Sequence, residues 1–320
     1  MSRITMSNNP NRPKITLDEG FEQFIKHCKI RNLREDTIKH YEGTMRSIYK
    51  FIEPKTIIKD INESTVDSFI LYCQNELEVK DVTINTYLRG LRTVLYYFMR
   101  LGYMDEFKIA TYKFDKTIIE TYTDEELKKL LKKPNMQKCS FVQFRSWTIC
   151  NFLIGTGCRV NSLINIKNKD IDFENAVVYL NVTKNRKPLI IPLSKSLVEI
   201  LQTYMKIRGG ELEDCLFCTD FGKTLDRQTV NLSINIYNKK RGVEKTGIHR
   251  FRHTFAKKWI LYGGDVFKLQ KILGHSSMAI VRMYVEMFTS DLKQNFDEIN
   301  PLEQLQIQVN EKLRIKMRGK

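Results

Sequence analysis

His249 and Arg252 lie three positions apart in the run GIHRFRHTFA. On a helix that spacing puts an imidazole and a guanidinium on one face, where both can address a single anion. Further on, Leu273-Gly274-His275 reads as a helix end and turn presenting another imidazole, and Tyr284 follows nine residues later. Ninety residues before His249, Thr156-Gly157-Cys158-Arg159 sets a second guanidinium just behind a glycine turn, at a helix start. Any one of these is weak, because His-x-x-Arg alone is more often a solvated helix face. Together they hold what cutting a phosphodiester requires. Two guanidiniums clamp non-bridging oxygens bidentately, which a lysine point charge does poorly, and preorganised charge of this kind is typically the largest catalytic contribution. A phenol that attacks phosphorus leaves a covalent link to the protein; with a pKa of about 10 it needs a neighbour to accept its proton.

The charge balance agrees with a nucleic-acid substrate. The chain has 53 Lys and Arg against 37 Asp and Glu, a net +16 over 320 residues, so an acidic polymer is its natural partner. Its seven cysteines have no framework spacing, which argues for a reducing compartment rather than a secreted scaffold. There is no run of about 18 apolar residues and no leader-like start, so the expectation is a cytoplasmic protein with no membrane partner. Cys215-x-x-Cys218 and His249-x-x-x-His253 have ligand-like internal spacings, but the gap between the pairs is thirty residues, well beyond a zinc finger. His253 reads as a core histidine. No phosphate-cradling glycine loop and no carboxylate cluster for two-metal chemistry is present, so neither metal nor cofactor is expected.

The segments GTGCRVNSL, VTKNRKPLIIPL, GIHRFRHTFA and LGHSSMAIVRMY, in that order, resemble the catalytic constellation of the tyrosine recombinase (phage integrase) family. The resemblance implies a catalytic set of Arg159, Lys184, His249, Arg252, His275 and the nucleophile Tyr284. It makes His249 the candidate base, gives His275 a hydrogen bond to the phosphate, and makes Lys184 the acid for the departing 5′ oxygen, with Lys187 as local competitor in the same basic turn. One position departs. Many family members carry an acidic residue three positions after the first arginine; here it is Ser162, and Asp170 or Asp172 is the expected compensation.

The elements that must position these groups are mostly helical. A polar arm, 1–15, precedes a capping box of Thr16 and Glu19. Four amphipathic patterns follow, the third capped by Ser64 and Asp67, and make a small bundle over 16–107 that resembles the family's SAM-like core-binding domain. A looser, lysine-bearing stretch, 108–122, reads as a linker. A second box, Thr123 with Glu126, opens a largely helical catalytic domain over 123–298. Within it, Trp147 to Ile154 is a buried helix, and Val177–Val182 with Leu189–Ile191 make a small antiparallel hairpin with a basic tip. The final stretch, 299–320, carries Leu302, Leu305, Val309 and Leu313 at about heptad spacing and is a candidate for docking on a neighbouring protomer. The fold class is therefore mainly α with one small sheet.

The family resemblance implies double-stranded DNA as partner, a homo-tetramer on paired sites, room for an accessory directionality factor, and a bacterial, nucleoid-associated enzyme. Asn85 and Arg89 in the bundle, and Lys187, Arg227 and Gln228 in the catalytic domain, are candidates for DNA contact. The short arm favours a simpler Xer-like or transposon-type enzyme, and Ser162 shifts the expectation to a mobile-element integrase; Xer-like chromosome or plasmid resolution is the alternative. A type IB topoisomerase shares the phosphotyrosine chemistry, but the LGHSS turn and compact helical N-terminus favour a recombinase. A non-catalytic DNA-binding protein would fit the charge but has no reason to keep the six catalytic side chains.

Overall fold

The computed structural model describes residues 13–110, 112–113, 120–183, 187–274 and 282. The chain divides into two compact units, Met1–Thr117 and Ile118–Lys320.

The first unit is built from α1 (Leu17–Ile30), α2 (Glu35–Ile48), α3 (Glu63–Asn75) and α4 (Asp81–Arg100). Helix α1 opens on the expected box: Glu19 N–H donates to Thr16 Oγ1 at 3.3 Å, and Thr16 N–H donates to Glu19 Oε2 at 2.9 Å. The cap of α3 differs from expectation. Asn62 rather than Ser64 is the N-cap, with Thr65 N–H donating to Asn62 Oδ1 at 3.1 Å and Asn62 N–H to Thr65 Oγ1 at 3.2 Å. Asparagine in extended backbone is a strong acceptor for the third amide, so Ser64 falls inside the first turn. Leu17, Met45, Phe69, Leu91, Leu95 and Phe98 form the centre of the core, each worth about 1.5–3 kcal/mol on burial. Helices α2 and α4 meet at Gly90, where a Cβ would come within 2.6 Å of Thr44 Cγ2.

The second unit contains α5 (Asp124–Leu131), α6 (Phe141–Thr156), a single-turn α7 (Val160–Leu163), α8 (Lys195–Arg208), α9 (Arg227–Lys240), α10 (Ile248–Leu261) and α11 (Val266–Leu273). Its sheet has order β1 (Ile171–Asp172), β2 (Val177–Leu180), β3 (Leu189–Pro192), all antiparallel, with Val178 opposite Ile191. The hairpin was expected, but β1 is too short to leave a periodic signal. From Phe144 on, helix α6 is buried on nearly every side, with α5, α8, α9 and α10 packed against it. The stretch read as a linker is anchored at both described ends: Ile109 is buried in the first core and Tyr122 in the second. Tyr122 N–H donates to Thr254 Oγ1 at 3.0 Å, and its hydroxyl accepts from Asn238 Nδ2 at 2.9 Å, so the entry to this unit is tied to α10. No helix among the described residues is long and apolar enough to cross a membrane.

Candidate active site

Helix α6 stops because Gly157 turns left-handed, with φ of +62°; a Cβ there would lie 2.6 Å from Phe255. The turn frees the Gly157 carbonyl and starts α7 with Arg159 as its N-cap. Helix α11 likewise ends on a left-handed Gly274, leaving the Leu273 carbonyl without a helical partner. The arginines use these two helix ends. Arg252, on α10 and 6 % exposed, donates from Nη1 to Gly157 O and from Nη2 to Leu273 O, both at 2.8 Å. Arg159 Nη1 donates to the same Leu273 O at 3.2 Å. A single carbonyl thus holds two like charges together, at the negative end of a helix dipole that favours cations.

Both guanidiniums border a cavity of about 390 Å³ whose wall also includes Ser162, Thr183, Lys187 and Gly274. His249 is in the first turn of α10, three residues before Arg252. Protein packed around the ring, then the charges of Arg252 and Arg159, push its pKa below the ordinary imidazole value. His253, one turn on, is lowered by burial first and then by His249, Arg252 and Arg250. Burial pushes the Cys158 thiol at the cavity wall up to about 11, leaving it protonated and unreactive.

The structure brings Arg159, His249 and Arg252 together, with Lys187 on the same cavity. Lys184, His275 and Tyr284 lie outside the described residues, as does 299–320. The expected compensation for Ser162 takes another form. Asp170 accepts from Lys167 N–H and Asn181 Nδ2, and Asp172 accepts from Asn175, while Ser162 itself donates to Val182 O at 2.9 Å. Among the candidate DNA contacts, Arg89, Gln228 and Lys187 are exposed. Arg227 is held by Asn161 Oδ1, at 3.2 Å from Nε and 3.0 Å from Nη2. Asn85 is turned into the bundle core, 6 % exposed, with Oδ1 unpartnered, so it does not present an edge to a DNA groove; its place on the buried stripe with Ile84, Leu88 and Leu91 was the sequence signal for this. The Ser162 and Asn161 contacts escaped sequence reasoning because their partners are distant in the chain.

Residues 120–290 match the model of the phage integrase family, and residues 17–114 match the phage integrase SAM-like domain. The chain belongs to the phage integrase family. It is thus a tyrosine recombinase, an enzyme of DNA strand transfer. The family's relatives include tyrosine recombinase XerC of Leptospira interrogans, 25% identical over 294 residues that cover 89% of this chain and 94% of that protein. Tyrosine recombinase XerA of Pyrococcus furiosus is 26% identical over 298 residues, covering 92% and 98%. Among solved structures, the Tn1549 transposon integrase in complex with a circular intermediate DNA superposes with a TM-score of 0.70 at 20% identity, covering 89% of this chain and 100% of that one. A lambda integrase dimer bound to a core site gives 0.68 at 18% identity, covering 84% and 95%. At these identities the superpositions speak for the fold.

Proposed function

We propose that this recombinase cleaves and rejoins DNA at specific sites through a covalent 3′-phosphotyrosine intermediate formed by Tyr284. The observation that carries the reading is the meeting of Arg159 and Arg252 at the Leu273 carbonyl, on a cavity large enough for a phosphodiester, one residue before the turn that leads to His275. In this scheme the two guanidiniums and His275 hold the non-bridging oxygens. Tyr284 Oη bonds to phosphorus, the phenolic proton passes to His249, and the P–O5′ bond breaks. Its electron pair leaves on O5′, which takes a proton from Lys184. Reversal with another strand's 5′ hydroxyl reseals the backbone and returns each proton, so no energy source is consumed. The lowered pKa of His249 suits the first transfer, because the ring stays neutral at physiological pH.

The net charge of +16 supports binding along duplex phosphates, with affinity falling steeply as salt rises. Since two strand exchanges need paired sites, the working unit is a tetramer on DNA; a lambda integrase tetramer bound to a Holliday junction is among the similar structures. Integration and excision of a mobile element is the role we favour, on the likeness to the Tn1549 and lambda integrases and on Ser162 in place of the acid. Resolution of chromosomes or plasmids is supported by the Xer relatives. In either role the enzyme acts in the cytoplasm on the nucleoid. The test is incubation with nicked duplex from around its own gene. The wild type should form a denaturant-resistant protein–DNA adduct, and Tyr284→Phe should lose it while still retarding the DNA. An adduct that persists in Tyr284→Phe removes the nucleophile assignment.

A further inference from the structure

The segment that enters the second unit is fastened along α10, and the two match in pitch. Glu120, Tyr122 and Asp124 alternate in a chain that, when extended, advances about 6.6 Å every two residues. Arg250, Thr254 and Lys258 recur every four residues of the helix, about 6 Å apart. The three pairs meet. Arg250 Nη1 donates to Glu120 O at 2.7 Å and to Glu120 Oε2 at 3.3 Å. Tyr122 N–H donates to Thr254 Oγ1 at 3.0 Å, and Lys258 pairs with Asp124. The centre of the Tyr122 ring is 6.0 Å from Arg250 Cζ and 4.7 Å from the centre of the Phe251 ring.

What this strap holds is the start of α10. Helices α5, α6, α8, α9 and α11 each open on a side-chain oxygen that accepts a first-turn amide. Helix α10 opens on Gly247, which has no side chain to give, and no such cap is made. Arg250 supplies a different closure. Its Nε donates to Thr246 O at 3.2 Å, just ahead of the helix, while Nη1 reaches Glu120. One guanidinium, 23 % exposed, thus joins the incoming chain, the first turn and a segment 130 positions away. A lysine, with a single donor head, cannot span those two carbonyls as a rigid fork. His249 lies inside the closure, between Thr246 and Arg250 in the chain. We propose that Arg250 is a positioning residue for His249: by fastening the uncapped first turn of α10 to Glu120, it fixes where the imidazole stands when it takes the tyrosine proton. The inference rests on the proposed phosphotyrosine mechanism and adds to it the group that aligns its base.

The test is a double-mutant cycle in the full-length protein, read as the single-turnover rate of adduct formation on the nicked duplex. Arg250→Lys keeps the charge and loses the fork. It should slow the adduct by about 10- to 100-fold, the usual effect of a small misplacement, with DNA retardation and its salt dependence unchanged. Arg250→Met keeps the apolar stem without any donor and should be at least as slow. His249→Ala should cost about 100-fold or more. In the His249→Ala background either Arg250 substitution should cost less than about twofold further, because a residue acting through the imidazole has nothing left to place. Losses that simply add, or a wild-type rate from either Arg250 variant, overturn the proposal, since the arginine then serves the phosphate clamp, or nothing in the reaction. Urea unfolding of each variant separates placement from folding, and a rate loss no larger than the folded fraction lost overturns it as well. A wild type that forms no adduct, or a His249→Ala variant that forms it at the wild-type rate, removes the mechanism itself, and this inference with it.

Discussion

The two units differ in what they bury. Among the described residues the first encloses two polar side chains, Thr44 and Asn85, and the second eleven, including Arg145, Ser162, Arg252 and Thr254. The first is a bundle whose apolar stripes account for its packing. In the second, buried polar groups are woven between helix ends: Arg145 donates to Cys218 O, Arg252 to two carbonyls, and Thr254 bridges Arg250 O and Tyr122 N–H. Buried polar atoms cost several kcal/mol unless partnered, so such a core is stable in few arrangements. That is useful where a site must hold two guanidiniums in one geometry, and unnecessary where the core only supports a surface.

The largest break in this contrast should come from Arg252→Lys. Lysine keeps the charge but cannot span Gly157 O and Leu273 O with one rigid fork. We expect adduct formation to fall by about 100- to 1,000-fold with DNA retention little changed; single-turnover cleavage and gel retardation measure the two. Next is Gly157→Ala. A left-handed backbone and a Cβ facing Phe255 at 2.6 Å add strain to overpacking, and a loss of about 2 kcal/mol or more is expected in urea unfolding.

A matched pair sharpens the comparison. Thr254→Val leaves the Tyr122 N–H without its acceptor in the second unit and should cost about 1–2 kcal/mol. Asn85→Leu replaces an orphaned carbonyl oxygen with an apolar group of similar size, and should leave the first unit unchanged or up to about 1 kcal/mol more stable. Its DNA affinity should stay at the wild-type level, since the side chain is buried; a weakened complex would show that the bundle opens to let Asn85 reach DNA.

What could be read ahead of the structure follows the same division. The capping boxes at Thr16 and Thr123 are written within four residues, and the helical stripes of the first unit within one window. Arg159, His249 and Arg252 were found because their types and order are distinctive. Their fixing was not legible: Gly157 O and Leu273 O are backbone atoms, which carry no residue signature, and Arg252 reaches one of them across 95 positions. The Arg227–Asn161 contact was not legible either, because the two residues lie 66 positions apart. Asn62 displaced Ser64 as a cap because several short polar side chains cluster there and only backbone geometry selects among them.

The smallest expected effect tests whether the polar core carries a pH cost that the apolar one lacks. His249 and His253 both titrate below the ordinary value of 6.5 in the folded chain, and unfolding restores that value. As pH falls through about 6.5 the unfolded chain therefore takes up protons first. The contribution of these groups is whole above that pH, declines as pH falls toward the folded values, and changes no further once both states are protonated. His253→Asn should flatten its share of the decline between pH 7.5 and 5.5, by less than about 1 kcal/mol given partial solvent screening. Urea unfolding of the DNA-free protein at the two pH values measures it. An Asn variant that loses as much stability as the wild type would place the pH cost elsewhere, first of all on His249, which feels the charges of both guanidiniums.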